Sequence, residues 1–270
     1  MAFRDGNPLT FPPLAMRERV EYRAVVAATY AANRLREARQ RAGAEHSVPA
    51  RGIEGASSPA MHQTVQTMRP WDAISNDALA IQHLLRCNGF RSEIFAEHID
   101  AALRDRVRSI NQLADPPYDA DPVLAHVCVH APRVTRALKA RPGALHLRFH
   151  SNTPPQWFRG ISYGFELSAR KGWEEMLELS RRSISAIADS AHNEREVRDA
   201  GMAEVAVVPI LLAPSEDPPT WRGGGGYAIS IGRIAPNKRI DFLLRTTAAY
   251  QAAHDPDFGL VLVGSDRGLE

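Results

Sequence analysis

From Met61 onward the chain alternates short apolar runs with helix-spaced segments, and this alternation restricts its fold more than any other feature. MHQTVQTM (61–68), SEIFAEH (92–98), VLAHVCVH (123–130), ALHLRFH (144–150), SISAIAD (183–189) and VAVVPILL (205–212) all have strand length and composition. Between the first two, NDALAIQHLLRCNGF (76–90) places Leu79, Ile81, Leu84 and Leu85 near helical spacing, with Asn76 as cap and Gly89 as stop. VTRALKARP and AHNEREVRDAG, the latter ending at Gly201, read as two further helices. Strands separated by helices cannot pair as hairpins. They pair in parallel, with crossover helices covering both faces of the sheet. The expectation is an α/β fold with one complete parallel-sheet domain over 61–213.

Composition then changes. APSEDPPTWRGGGG is rich in proline and glycine and reads as a linker, assigned to 214–225. After it come a strand (YAISIG), a helix (IDFLLRTTAAYQAA) and a strand (DFGLVLVGS), so 226–270 holds one βαβ unit. A domain core usually takes about 100 residues, so this second domain is expected to be incomplete. Residues 1–60 form an N-terminal extension with a basic helix over Met16–Ala42, whose modest apolar stripe includes Val20, Val25 and Leu35. That helix reads either as a solvated or loosely docked element or as a membrane-surface helix. Met1 and Met61 are alternative translation starts.

Several function classes fall away on bulk properties. The net charge of +2 is too balanced for a nucleic-acid-binding domain. Two cysteines, Cys87 and Cys128, make no disulfide framework. No apolar run reaches the roughly 18–20 residues of a membrane span, and the N-terminus lacks a signal-peptide core. A cytoplasmic protein is expected. On a strand, His126, Cys128 and His130 would share a face about 6.6 Å apart, too wide for one zinc with bonds of about 2 Å. The run GGGG follows no strand, so it is no dinucleotide fingerprint, and neither a G-x-S-x-G elbow nor a Walker loop occurs.

The most suggestive chemistry lies in GRIAPNKR. Gly232 ends a strand and lets the backbone approach a ligand closely. Arg233 and Lys238 follow on the path into a helix, at the carboxyl end of a strand, where open α/β sheets bind ligands and helix N-termini attract anions. A guanidinium with an ammonium suits a diphosphate. On spacing alone, two solvated loop charges explain the pattern equally well.

Four segments in order resemble one family. GRIAPNKR resembles the G-R-x4-K loop of GT-B glycosyltransferases of family 4. RPWDAISNDALAIQHLLRCNGFRSEIF is similar to the first loop and helix of a branch reading G-D-A-I-G-N. LHLRFHSNTPPQWF is similar to its H-N-x-T-P-P strand end, and AIADSAHNEREVRDAG to its S-x-x-N strand and helix. The resemblance spans Met61 to Glu270. It implies a GT-B type fold: one Rossmann-like domain on the acceptor side, 61–213, and the first βαβ unit of a nucleotide-sugar-binding domain, 226–270.

The resemblance also implies an activity: retaining transfer of a sugar from a nucleotide-diphosphate donor to a glycan or lipid-linked acceptor, in surface polysaccharide synthesis, with no required metal and no other cofactor. Gly232, Arg233 and Lys238 match the donor-diphosphate clamp. His150 matches the catalytic-site histidine lining the sugar pocket, Asp72, Ser75 and Asn76 the first loop, and Gly264 the nucleotide side. Two departures stand out. Trp71 and Ser75 occupy the glycine positions of the first loop, which puts close phosphate contact there in doubt. The family's E-x7-E pair has no match after the linker; Glu37/Glu45, Glu166/Glu174 and Glu196/Glu204 all precede it. The alternatives are therefore a non-catalytic remnant, an acceptor-binding module that pairs with a separate chain, or a nucleotide-binding regulator. A lipid-linked acceptor would add peripheral membrane contact.

Overall fold

The alternation becomes seven strands, every neighbouring pair of which is parallel. A computed structural model describes residues 58–211 and 226–264 of the chain. The helix expected over 16–42 and the linker at 214–225 lie outside the described residues. The chain divides into two units. Of the described residues, the first comprises 58–152 with 167–211; the second comprises 153–166 with 226–264.

In chain order the first unit contains β1 (His62–Met68), α1 (Ala73–Cys87), β2 (Ile94–Ile99), β3 (Arg108–Ser109), β4 (Val123–Val127), α2 (Pro132–Ala140) and β5 (Leu145–Phe149). Then follow α3 (Tyr163–Ser180), which begins in the segment grouped with the second unit, β6 (Ser185–Ala188), α4 (Ala191–Asp199) and β7 (Val205–Val207). The sheet order is β3-β2-β1-β4-β5-β6-β7. The chain builds outward from β1 in one direction, then returns across β1 to build the other half from β4. Such a reversal opens a crevice at the carboxyl ends of the two central strands, the usual ligand position in doubly wound sheets. The unit is an α/β, Rossmann-like domain.

The two faces of this sheet differ chemically. One carries Ala125, Val127, Leu145, Leu147, Phe149 and Ala186, packed under Val134 and Leu138 of α2 and Trp173, Met176 and Leu179 of α3. That is the apolar covering a parallel sheet requires. On the other face, Val65 of β1 and Ile94 and Ala96 of β2 meet Ala78 of α1. Side chains in register across parallel strands share a face, so the pairings Gln63↔Leu124 and His126↔Arg148 place Gln63, His126 and Arg148 on that second face too. All three are buried there.

Several sequence expectations shift. The cap of α1 is Asp72, not Asn76: the Asp72 carboxylate accepts from the Ser75 amide at 3.0 Å, so the helix starts a turn earlier. Gly89 does take the left-handed conformation that ends a helix, with φ 80°. The runs 123–130 and 205–212 become shorter strands, ending at Val127 and Val207. Helix α3 was not anticipated. Its buried stripe (Leu167, Trp173, Met176, Leu179) is broken by Gly172 and by charged neighbours, so its periodicity is weak in the sequence.

In α4, Glu196 is largely buried and its Oε2 has no partner among the described residues. Burial, aided by the Asp199 charge, pushes its carboxyl from the ordinary 4.5 up to about 7. A raised folded-state pKa means that the folded state holds the proton more tightly. Its stabilising contribution is full below 4.5 and lost as the pH rises through about 7. Glu196→Gln should therefore be more stable than the parent at pH 8, by about 1 kcal/mol after allowance for solvent screening, with the gap closing toward pH 4.5. Urea unfolding at both pH values measures this; a gap independent of pH would count against it.

The second unit contains β8 (Tyr227–Ile231), α5 (Ile240–Ala253) and β9 (Gly259–Val263). β8 and β9 form a two-stranded parallel sheet, in register from Tyr227↔Gly259 to Ile231↔Val263. Among the described residues, Ile229, Ile231, Phe242, Leu244 and Val263 remain exposed apolar side chains on this unit.

Candidate functional site

Two places gather the residues singled out by sequence, one in each unit. In the second, Gly232 follows β8 with φ 142° and donates its amide to the Val263 carbonyl at 2.9 Å. Gly264 follows β9 so closely that a Cβ built on it would lie 1.8 Å from the Gly232 oxygen. The two glycines thus hold the carboxyl ends of β8 and β9 in backbone contact. Arg233 lies in the following loop and Lys238 ends a short 3-10 turn, Pro236–Lys238. The Lys238 side chain folds back so that its Cε would lie 3.7 Å from a Cβ at Gly232. Among the described residues, neither Arg233 nor Lys238 has an ion-pair partner, and both are exposed. Their neighbour Arg239 differs: it pairs with Asp241 at 3.1 and 3.2 Å. The loop therefore presents two free cations beside a strand end lined by glycine backbone.

In the first unit, the loop after β1 leaves the sheet at its reversal point. Trp71 there has φ 62° and is 98% exposed. A tryptophan thus adopts the left-handed conformation that glycine favours, at a cost of roughly 1–2 kcal/mol. The doubt attached to this substitution concerned backbone freedom, and the backbone takes up the glycine-like conformation regardless. Asp72 and Ser75 are spent on the cap: the Ser75 hydroxyl donates to Asp72 Oδ2 at 2.9 Å and accepts from the Arg69 amide at 3.1 Å. Asn76 is exposed on the first turn of α1.

His150 follows β5, but its ring is almost fully buried, with a side-chain exposure of 2%. Its Nδ1 lies 2.9 Å from Asp189 Oδ2 and its Nε2 lies 2.7 Å from His126 Nδ1. Both ring nitrogens have partners, Asp189 and His126, within the first unit. His126 Nε2 in turn meets Gln63 Oε1 at 2.9 Å. Arg148 is equally buried and grips Asp77 through Nε and Nη2, at 2.9 and 3.3 Å. It also reaches Asp189 Oδ1 at 3.2 Å. Arg148 donates to the carbonyls of Val208 and Pro209, while Asp77 Oδ1 accepts from the Leu211 amide. This network latches the segment after β7 onto the sheet.

Sequence reasoning missed Asp77, His126, Arg148 and Asp189 as one cluster. The available signal was H-L-R-F-H at 146–150, where a polar residue recurs at every second position of an otherwise apolar strand. The set His126, Cys128 and His130 does not assemble: β4 ends at Val127, and His130 Nδ1 pairs with Glu175 at 2.9 Å. Asp77, His126 and His150 do bring one potential ligand atom each within 4.8 Å of one another. Those atoms already bind each other or Arg148, and a metal ion would have to displace the His126–His150 hydrogen bond beside a buried guanidinium. The donor set fits a hydrogen-bonded charge network better than a metal centre.

Among the described residues, no helix is long and apolar enough to cross a membrane. No family model matches the chain, and no curated protein matches it in sequence. Among solved structures it is similar to the crystal structure of Acinetobacter baumannii MurG, at 12% identity and a TM-score of 0.39, over 76% of this chain and 68% of that chain.

Proposed function

We propose that the chain is a GT-B glycosyltransferase of family 4 type, moving a sugar with retention from a nucleotide-diphosphate donor to a glycan or lipid-linked acceptor in surface polysaccharide synthesis. The observation that carries this reading is the loop after β8. Two cations, Arg233 and Lys238, without an ion-pair partner among the described residues, stand beside the close glycine contact at the carboxyl ends of a parallel strand pair. The ordered resemblance of four segments to the family supports it. The leaving group is a nucleoside diphosphate, which gains negative charge as the glycosidic bond breaks. Cations fixed where that charge develops lower the barrier, and they do so without a metal ion. The Gly232 backbone leaves room for phosphate oxygens where a side chain would intrude.

The test is binding before turnover. Calorimetry with UDP and GDP should detect diphosphate binding to the full chain. Arg233→Ala should weaken it about tenfold, the value of one exposed charge-assisted hydrogen bond. Equal affinity in parent and variant would remove Arg233 from the donor site. Transfer from a panel of nucleotide sugars then separates an enzyme from a second reading, favoured by the exposed apolar residues of the second unit. In that reading the chain is an acceptor-binding module whose donor side is completed by a separate chain. Diphosphate binding without transfer, restored by a partner, would support the module. Contact with a membrane surface would accompany a lipid-linked acceptor in either case.

A further inference from the structure

We propose that Trp71 is an aromatic platform on which a pyranose ring of the acceptor glycan stacks, at the carboxyl end of β1. Naming the acceptor rests on the glycosyltransferase reading; the platform itself rests on exposure, backbone strain and position.

Tryptophan is among the side chains a fold usually covers. Trp173 follows that rule at 1% exposure, whereas Trp71 stands at 98%. This exposure coincides with a strained backbone. The φ of 62° at Trp71 brings the Cβ close to the following carbonyl, a conformation that glycine would adopt freely. No packing of the indole offsets that cost. The loop around it is nevertheless held firmly. Before Trp71, the Met68 carbonyl accepts from the Asp100 amide at 2.9 Å, and the Arg69 amide donates to the Ser75 hydroxyl oxygen at 3.1 Å. Pro70 fixes its own φ. After it, the Asp72 carboxylate accepts from the Ser75 amide at 3.0 Å, and the Asp72 carbonyl accepts from the Asn76 amide at 2.9 Å. The frame thus holds the indole out on a rigid support. Strain that a surrounding frame maintains is characteristic of ligand sites. The position agrees, since the loop leaves the sheet where its winding reverses between β1 and β4.

The neighbouring side chains indicate what the indole receives. Between residues 69 and 76 the exposed side chains besides Trp71 are Arg69, Pro70, Ala73 and Asn76. One indole offers about 200 Å², far less than the roughly 800 Å² that each partner gives to a protein interface. A membrane-seeking surface needs a broad apolar face flanked by basic side chains. Here Trp71 is the one large apolar side chain exposed on the loop, and Arg69 is paired to Asp72 at 3.4 Å. The surface fits a single ring that is apolar on its face and polar at its rim. A pyranose has that character. Its C–H face carries partial positive charge and lies against the negative face of the indole. Its rim hydroxyls meet donors and acceptors of the kind that Arg69 and Asn76 expose. A nucleobase is also flat, but the proposed reaction assigns the nucleotide to the loop after β8.

The test is indole N–H NMR on the full chain, which contains four tryptophans. The Trp71 signal is the one missing from Trp71→Phe. Methyl glycosides of glucose, galactose, mannose, rhamnose and N-acetylglucosamine are titrated to high millimolar concentration without nucleotide. At least one should shift the Trp71 signal saturably and leave that of Trp173 in place. Trp71→Asn takes the left-handed conformation more readily. It should unfold at no lower urea concentration than the parent, yet bind that glycoside about tenfold more weakly. A Trp71 signal that no glycoside moves would overturn the proposal, as would equal affinity in Trp71→Asn and the parent. A lower unfolding midpoint for Trp71→Asn would also overturn it, because the indole would then be packed in solution. So would a Trp71 signal that responds to UDP or GDP, or to phosphatidylglycerol vesicles, and to no glycoside. Those results would make it a nucleobase shelf or a membrane anchor. Glycoside binding at Trp71 without transfer from any nucleotide sugar would count against the glycosyltransferase reading and leave the platform standing.

Discussion

Replacing Arg148 by methionine is expected to cost the first unit about 3–5 kcal/mol, the range for removing one member of a buried ion pair. The reasoning is one of stranded charge. Arg148 and Asp77 are 1% and 0% exposed, and the guanidinium also faces Asp189. Methionine fills much of the volume but takes the guanidinium away from both carboxylates, Asp77 fully buried and Asp189 12% exposed. It also removes the donors for the Val208 and Pro209 carbonyls, so the segment after β7 loses part of its latch. Denaturant unfolding followed by tryptophan fluorescence measures the loss, since Trp173 lies in the core on the other face of the same sheet. The double variant Arg148→Met/Asp77→Leu should recover part of the loss, because the fully buried Asp77 charge is removed while Asp189 still lacks the guanidinium. Recovery will be incomplete, since the Leu211 amide still lacks the Asp77 acceptor. A cost below about 1 kcal/mol for the single variant would show that the charges are solvated and the network is not a structural element.

The second large effect is expected at Gly264. A methyl group there would lie 1.8 Å from the Gly232 carbonyl oxygen and 2.8 Å from its carbon. These are backbone atoms and cannot swing aside as a side chain would. Gly264→Ala must therefore push the ends of β8 and β9 apart and break the hydrogen bond from the Gly232 amide to the Val263 carbonyl. The expected cost is about 2–3 kcal/mol to the second unit; under the proposed function, diphosphate binding is lost with it, since Gly232 and Arg233 move with the strand end. Gly232→Ala makes a useful contrast. Its Cβ would have room, with Lys238 Cε at 3.7 Å, but its φ of 142° disfavours a side chain; the cost should be nearer 1 kcal/mol. Amide hydrogen exchange across β8 and β9 reads both variants. Equal protection in Gly264→Ala and the parent would show that the close backbone contact does not exist in solution.

The sequence by itself determined the parallel α/β class and strands at 61–68, 92–98 and 144–150, observed at 62–68, 94–99 and 145–149, because alternation of short apolar runs with helical segments leaves few other packings. It also marked the loop after β8, where Gly232, Arg233 and Lys238 are neighbours along the chain. Local chemistry was legible because it depends on nearby residues. What the sequence left open depends on register and crossing. Asp77, His126, Arg148 and Asp189 are spread over more than a hundred positions, and only the order β1-β4-β5-β6, with α1 packed on one face, brings them together. The same packing buries the His150 ring and occupies both its nitrogens, which no motif could disclose. The shift of the α1 cap from Asn76 to Asp72 has the same origin. A side chain caps a helix only where the backbone, here running from an unusual φ at Trp71, aims it at the free amides.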